Sequence, residues 1–314
     1  MTTLTPPASD YATLRDGCGL VDRSERGKLA LTGADAKSFL QGQVTNDVER
    51  LTAGTGCYAA FLTPKGKMLG DLRILDTGDE LLLDTERCAL QALFNLIRRY
   101  SLGYDVTLHK RTVERGLLSL VGPRAVAVAC VVALAEIEHA HLTTTLEGLE
   151  VRVIRTAEGL DVLCQAQDTD SMREALVRAG AGEVGDEAAE CVRIESGRPR
   201  YGVELDDTVI PQEAGLNARA VSFTKGCYVG QETVARLFYR GKPNRTLHGL
   251  RCDAPVAPGD EVGLGERVVA TVASAAVSPR FGPIALALVR REAPPGSVVR
   301  VGEAEATVVE LPFA

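Results

Sequence analysis

The sequence predicts an α+β body over residues 1–245 and an antiparallel β tail over residues 246–314. Three observations carry that division. Residues 58–63 and 68–75 read as two strands joined by the turn Pro64-Lys65-Gly66-Lys67. Residues 86–99 place Leu90, Leu93, Phe94 and Ile97 at helical spacing. From residue 246 short valine-rich runs alternate with Pro258-Gly259, Gly263-Leu264-Gly265, Gly282-Pro283 and Pro294-Pro295-Gly296, without a helical period. That texture is a small β-barrel or sandwich.

Taken in order, residues 28–31 form a short strand, and Thr32 can cap a helix running through Phe39 and Leu40. In the hairpin, period-two alternation puts Met68, Gly70, Leu72 and Ile74 on one face. Leu69, Asp71, Arg73 and Leu75 share the other. A strand at Leu81-Leu82-Leu83 precedes the 86–99 helix, which Asp84 or Thr85 can cap and which Arg98 and Arg99 close. Gly122-Pro123 introduces an apolar helix through Val132 and Leu134. Residues 149–154 and 159–164 pair as strands, and a helix follows around Met172, Leu176 and Val177. Asp186 can cap another helix that Gly197 ends.

A chain of 314 residues supports two or three domains and a substantial core. Its net charge of -7 argues against a nucleic-acid backbone binder, which needs a basic face. The longest apolar run, residues 125–135, falls short of the roughly 18 residues of a membrane span. The first residues show neither a basic start nor an apolar run, so no signal peptide is expected. Eight dispersed cysteines include no Cys-x-x-Cys pair, which fits reduced thiols in a cytoplasm and no cysteine metal site. His139 and His141 follow an apolar helix and are expected to face solvent; His248 and Cys252 are four apart on a strand, too few ligands for a metal.

The most distinctive stretch is Lys225-Gly226-Cys227-Tyr228-Val229-Gly230-Gln231-Glu232, ahead of a helix over residues 233–240 that stops at Gly241-Lys242-Pro243. Two glycines bracket Cys227 and Tyr228, giving the backbone unusual freedom. A helix start and Lys225 beside Cys227 favour a thiolate. The competing reading makes Cys227 a small buried apolar residue. This octet resembles the signature of the YgfZ family, folate-binding relatives of the glycine-cleavage T-protein implicated in iron–sulfur cluster assembly. Arg193-Ile194-Glu195-Ser196-Gly197-Arg198-Pro199 and Ile210-Pro211-Gln212-Glu213-Ala214-Gly215-Leu216 are similar to that family in order and spacing. Phe39-Leu40 through Thr45-Asn46-Asp47, Ser278-Pro279 and residues 284–289 resemble the wider T-protein group.

The resemblance implies two interleaved α+β subdomains and a C-terminal barrel, three domains in a ring around a central tetrahydrofolate site. A folate's pterin edge presents adjacent N–H donors to a carboxylate, its rings need an apolar slot, and its glutamate tail needs Arg or Lys. By resemblance, Asp71 falls where T-proteins carry the aspartate beside the reactive folate nitrogens, and Asp161 takes the place of a pterin-binding glutamate. Glu195 and Arg193 join them as folate contacts, and Cys227 is the functional thiol. Read without the resemblance, Asp71 and Arg73 make a surface pair, Asp161 is an edge-strand charge, and Glu195 pairs with Arg193 or Arg198. Some T-protein features are missing: the Gly-Tyr-Thr-Gly segment between Thr156 and Gly159, the arginine near Ala189, and a histidine within residues 22–26. The resemblance therefore implies a tetrahydrofolate-dependent accessory protein with iron–sulfur assembly proteins or client enzymes as partners. The alternatives are a folate-dependent aminomethyltransferase or demethylase, and an interaction module that has lost its folate.

Overall fold

Two sheets and a barrel organise residues 3–314, the part described in this computed structural model. The chain opens with helix α1 (Ala8–Asp16) and strand β1 (Gly19–Asp22), then leaves to build a five-stranded sheet. That sheet comprises β2 (Gly27–Thr32), helix α2 (Ala36–Gln41), β3 (Thr55–Leu62), β4 (Met68–Asp76), β5 (Leu81–Thr85), helix α3 (Leu90–Tyr100) and β6 (Thr107–Lys110), in strand order β3-β4-β5-β2-β6. The chain returns through β7 (Arg115–Val121), which pairs antiparallel with β1. Helix α4 (Ala125–Ala129), β8 (His141–Leu146), β9 (Leu149–Thr156), β10 (Gly159–Gln165), helix α5 (Thr169–Arg178) and β11 (Gly182–Glu183) complete a six-stranded sheet. Its order is β11-β1-β7-β10-β9-β8.

Helix α6 (Asp186–Glu195) leads into a largely irregular stretch holding the short α7 (Asn217–Ala220), and α8 (Gln231–Arg240) follows. Six strands then close an antiparallel barrel: β12 (Arg245–Cys252), β13 (Glu261–Leu264), β14 (Arg267–Ser278), β15 (Gly282–Arg290), β16 (Val298–Val301) and β17 (Ala304–Val309). Each unit has its own core of Leu, Val, Ala and Ile, as a chain without tryptophan requires. A fourth cluster, with Leu14, Cys191, Ile194, Leu286 and Phe313, fastens α1 and α6 to the barrel. Leu75, Leu82, Leu117, Ile154 and Leu163 join the two sheets. No helix among the described residues is long and apolar enough to cross a membrane.

Several local expectations change once distant partners are present. The apolar helix after Pro123 stops at Ala129, because Cys130 turns left-handed at φ 52°, and Leu134 packs from a loop instead. Thr32 does not cap α2; its hydroxyl meets His109 Nε2 at 2.9 Å and the helix begins at Ala36. Helix α3 starts at Leu90 without a side-chain cap, since Thr85 Oγ1 donates to the Asp71 carbonyl and Asp84 is ion-paired. Both histidines expected in solvent are inside. His141 is 3% exposed between Thr55 and Arg152, and the His139 ring turns toward the interior.

Candidate functional site

The alternation of β4 sorts its residues as the sequence implies. Gly70, Leu72 and Ile74 pack toward α3 and the first sheet's core, while Asp71 and Arg73 face a cavity between the two sheets. Cross-strand register adds Tyr58, opposite Arg73 on β3, and Asp84, opposite Arg73 on β5. The cavity holds about 270 Å³ and is lined by residues from Arg23 to Arg219, none of them from the barrel. A wider concavity of about 780 Å³ lies between the 203–213 segment and barrel strands β14 and β15. Its carboxylates Glu204 and Glu213 are neutralised by Arg193 and Arg245, whereas the smaller cavity gathers polar groups that lack partners.

Arg73 is the hinge of the cavity wall. Its Nη1 donates to Asp161 Oδ2 at 2.6 Å across the sheets, and its Nη2 to Asp84 Oδ2 at 2.6 Å within its own sheet. Asp84 also receives Arg26 Nε at 2.8 Å, and Asp161 receives Ser119 Oγ at 2.6 Å. The surface pair between Asp71 and Arg73 does not exist: both are buried, and Arg73 binds other carboxylates. Asp161 is no edge charge either, because β10 lies between β7 and β9. Burial opposes ionisation of Asp84, but Arg26 and Arg73 outweigh it and hold its carboxyl below its ordinary range.

Asp71 is treated differently. It accepts one hydrogen bond, from the Tyr58 hydroxyl, and has no ion-pair partner among the described residues. Burial pushes its carboxyl up to about 6, against the pull of the Tyr58 hydroxyl and Arg26. The wall thus offers a carboxyl able to exchange a proton near neutral pH beside permanently charged neighbours. The Arg219 guanidinium lies 5.2 Å over the Tyr58 ring and steadies it. His139, also on the wall, is pushed down to about 4 by burial and then by Arg73, so it is neutral at pH 7.

The remaining expected site residues separate from this group. Arg193 reaches the wall, yet its guanidinium is bound to Glu190, Glu204 and Ser274. Glu195 turns away, toward α1 and the barrel, where it is 2% exposed and accepts from Arg15, Tyr11 and Ser278 rather than from Arg193 or Arg198. Cys227 is exposed and lies on a loop outside the cavity. Lys225 is buried, with Nζ donating to the carbonyls of Gln41 at 2.6 Å, Val44 at 2.8 Å and Asn46 at 2.7 Å. Burial pushes it down to about 8. It anchors the loop and is not a counter-ion for the thiol.

Around Cys227 the loop is built from its ends. Tyr228 is buried against the cluster of Ala60, Leu62, Met68 and Leu216. Gly230 sits at φ 85°, where a Cβ would come within 2.6 Å of the Thr63 carbonyl oxygen, so only glycine fits. Gln231 and Glu232 open α8, and Glu232 is exposed. Nothing in the structure explains the glycine at 226.

The cavity was tested against a reduced folate by its unpartnered atoms. Among the described residues eight buried side-chain polar atoms lack a hydrogen-bond partner, and four of them line this cavity: Arg73 Nε, His139 Nδ1, Glu158 Oε1 and Arg219 Nε. Glu158 and the free oxygen of Asp71 are acceptors suited to adjacent N–H donors. Half-buried Arg198 and Arg200 are cations suited to carboxylates, at present paired with Glu138 and Glu190 at 3.1 Å each, and Val121 and Pro199 give apolar flank. The polar residues fit such a ligand, and the volume of about 270 Å³ falls just below the roughly 300–1,000 Å³ usual for small-molecule pockets. Sequence reasoning missed Tyr58, Asp84, Glu158 and Arg219. Only Tyr58 and Asp84 had a signal, the strand register around Arg73.

Comparison with known proteins agrees with this architecture. Residues 5–225 match the GCVT N-terminal domain family. An aminomethyltransferase of Rubrobacter xylanophilus is 30% identical over 318 residues, covering 97% of this chain and 85% of that protein. A chloroplastic putative transferase of Arabidopsis thaliana is 28% identical over 312 residues, covering 95% and 72%. The crystal structure of the glycine cleavage system aminomethyltransferase T from Bartonella henselae superposes with a TM-score of 0.87 at 24% identity, over 100% of this chain and 91% of that one.

Proposed function

The chain belongs to the GCVT N-terminal domain family, with an aminomethyltransferase-like fold, and from that premise we propose that it binds a tetrahydrofolate in the central cavity and serves as an accessory protein to iron–sulfur enzymes. The observation that carries this reading is the separation of two features. The proton-exchanging carboxyl of Asp71 faces the cavity, while the thiol of the YgfZ-like motif is exposed outside it. An aminomethyltransferase needs only the cavity; an accessory protein that acts on another macromolecule needs a group outside it.

In this reading a bound tetrahydrofolate supplies a carrier for a one-carbon unit at its ring nitrogens. Asp71 and Glu158 accept from the N–H edge, Tyr58 holds the Asp71 carboxyl in orientation, and Arg198 with Arg200 exchanges its pairing with Glu138 and Glu190 for the tail carboxylates. Arg73 keeps Asp161 and Asp84 neutralised, so that Asp71 remains the carboxyl free to gain or lose a proton. Asp161 acts here through Arg73 and Ser119 rather than by direct contact with the pterin.

Thermal melting with tetrahydrofolate tests the reading. A ligand confined to the folded state adds about 2.7 kcal/mol at 100-fold over its Kd, and Asp71→Asn is expected to reduce that gain. An unchanged melting temperature with every folate form sinks it. A second reading, a folate-dependent aminomethyltransferase, is favoured by the Asp71 carboxyl poised at about 6. Steady methylene-tetrahydrofolate formation from an aminomethyl donor, abolished by Asp71→Asn, would decide for it.

A further inference from the structure

Two ion bridges of the same design line the central cavity. Glu138 Oε1 accepts from Arg198 Nη1 at 3.1 Å and from Arg219 Nη2 at 3.0 Å. Glu190 accepts from Arg200 Nη1 at 3.1 Å and from Arg193, through Nε at 2.9 Å and Nη2 at 2.7 Å. Each carboxylate therefore lies between two arginines, and all six residues belong to the cavity wall. Burial opposes ionisation of both carboxyls, but the arginines outweigh it and hold them below their ordinary range. The side chains of Arg198 and Arg200 are 31% and 33% exposed, so water reaches them. Their backbone is fixed. Arg193 Nη1 donates to the Arg198 carbonyl, and the Arg200 N–H donates to Glu204 Oε2 at 3.0 Å. A change of partner is thus a side-chain movement alone.

On the basis of the folate reading above, we propose that Glu138 and Glu190 are stand-ins for ligand carboxylates and set the specificity of the site. They hold Arg198 and Arg200 until a dicarboxylate tail displaces them. Displacement strands no charge, because Glu138 keeps Arg219 and Glu190 keeps Arg193. A half-buried carboxylate without that second arginine would be left unpaired and would oppose the exchange. An uncharged ring offers the arginines nothing and leaves both bridges closed. A lone carboxylate opens one bridge. Two carboxylates on one tail open both, the second at high effective concentration. The two glutamates thus set how far a reduced pterin with a dicarboxylate tail is preferred over the bare ring. Glu158 lies 3.8 Å from Arg198 Nε, beyond hydrogen-bond reach, and stays free to accept from the ring.

The test is calorimetric titration of the full-length protein with tetrahydrofolate and with tetrahydropterin, which has no tail, at one ionic strength. The quantity read is the ratio of their affinities, which cancels effects on the ring end of the cavity. Glu138→Gln and Glu190→Gln keep the shape and a hydrogen-bond acceptor but remove the competing charge. Each is expected to raise the preference for tetrahydrofolate roughly fivefold, the upper end for a partly exposed ion pair. Arg198→Gln should lower it. Glu136→Gln removes a nearby exposed carboxylate that has no ion pair among the described residues, and should change the ratio by less than about twofold. Unchanged melting temperatures certify the variants; should Glu190→Gln misfold, Glu138→Gln carries the test. A ratio that stays level or falls in the glutamine variants overturns the stand-in role alone, as does an equal rise in Glu136→Gln. Failure of the parent protein to bind either pterin overturns the folate reading and this inference together.

Discussion

The cavity wall and the Cys227 loop are held in place by opposite means. At the wall, fixed cations are matched by fixed anions: Arg73 alone ties Asp84 and Asp161 from two different sheets. At the loop, one buried lysine binds three backbone carbonyls, and Arg236 and Arg240 on the following helix are exposed without an ion pair among the described residues. The wall spends its charges on internal order and keeps a single carboxyl, Asp71, adjustable. The loop spends only Lys225 on order and presents the rest to solvent. A short, contiguous motif can therefore mark the loop, whereas the wall is assembled from residues scattered between positions 23 and 219.

Removing Arg73 should break that contrast most severely. Arg73→Leu leaves Asp84 and Asp161 buried beside an apolar chain, and breaking a buried pair in this way costs about 3–5 kcal/mol. Urea unfolding should show a lower midpoint with an unchanged slope. A loss below about 1 kcal/mol would mean that water relieves the wall.

Asp71 should give the next effect, with the opposite sign. Its carboxyl is raised from 3.8 to about 6, so the folded protein holds the proton more tightly than the unfolded chain does. Stability of the ligand-free protein then falls as pH rises from about 4 to 6 and levels off above, a total of about 3 kcal/mol. Asp71→Asn removes that loss: it should match the parent near pH 4 and exceed it at pH 8, while binding folate worse. Denaturant midpoints across pH read this directly. A parallel offset at all pH values would assign the change to packing instead.

Cys227→Ser should do least. The thiol is exposed, so stability should shift by no more than about 0.5 kcal/mol. Alkylation mapped by mass spectrometry should reach Cys227 well before Cys57, Cys191 and Cys252, whose thiols burial pushes up to about 12. Slow labelling of Cys227 would return it to the packing role. Cys88 and Cys130 are exposed as well, so preference for Cys227 over those two is the sharper measure of special reactivity.

What the sequence made legible follows from how local each signal is. The β3–β4 hairpin, α3 and the β9–β10 pair declare themselves through periodicity within a few residues, and all three stand in the structure. The end of α4 does not, because residues 125–135 stay apolar after the helix stops; only the turn at Cys130 marks the change. Among site residues, alternation gave the shared face of Asp71 and Arg73. It could not give their partners, since Arg73 meets Asp161 across 88 positions. Glu195 and Lys225 read as site groups because their motifs are compact. Their partners, Arg15 and the carbonyls of residues 41–46, lie about 180 positions away and turn both into structural fastenings.

The route of the chain has a kinetic consequence. Strands β1 and β7 are hydrogen-bonded neighbours, with Asp22 facing Leu118, yet the whole five-stranded sheet lies between them in sequence. Bringing those two strands together from an open chain closes a loop of roughly 90 residues, an entropic cost of about 4 kcal/mol before any contact rewards it. Two of the four pairings in the inserted sheet, β3–β4 and β4–β5, join consecutive antiparallel strands, and such pairings form early because they are close in sequence. Once folded, it delivers its two ends side by side and removes most of that cost. The five-stranded sheet is thus expected to act as the nucleus for its host, and Arg73 to find Asp161 only in the last step.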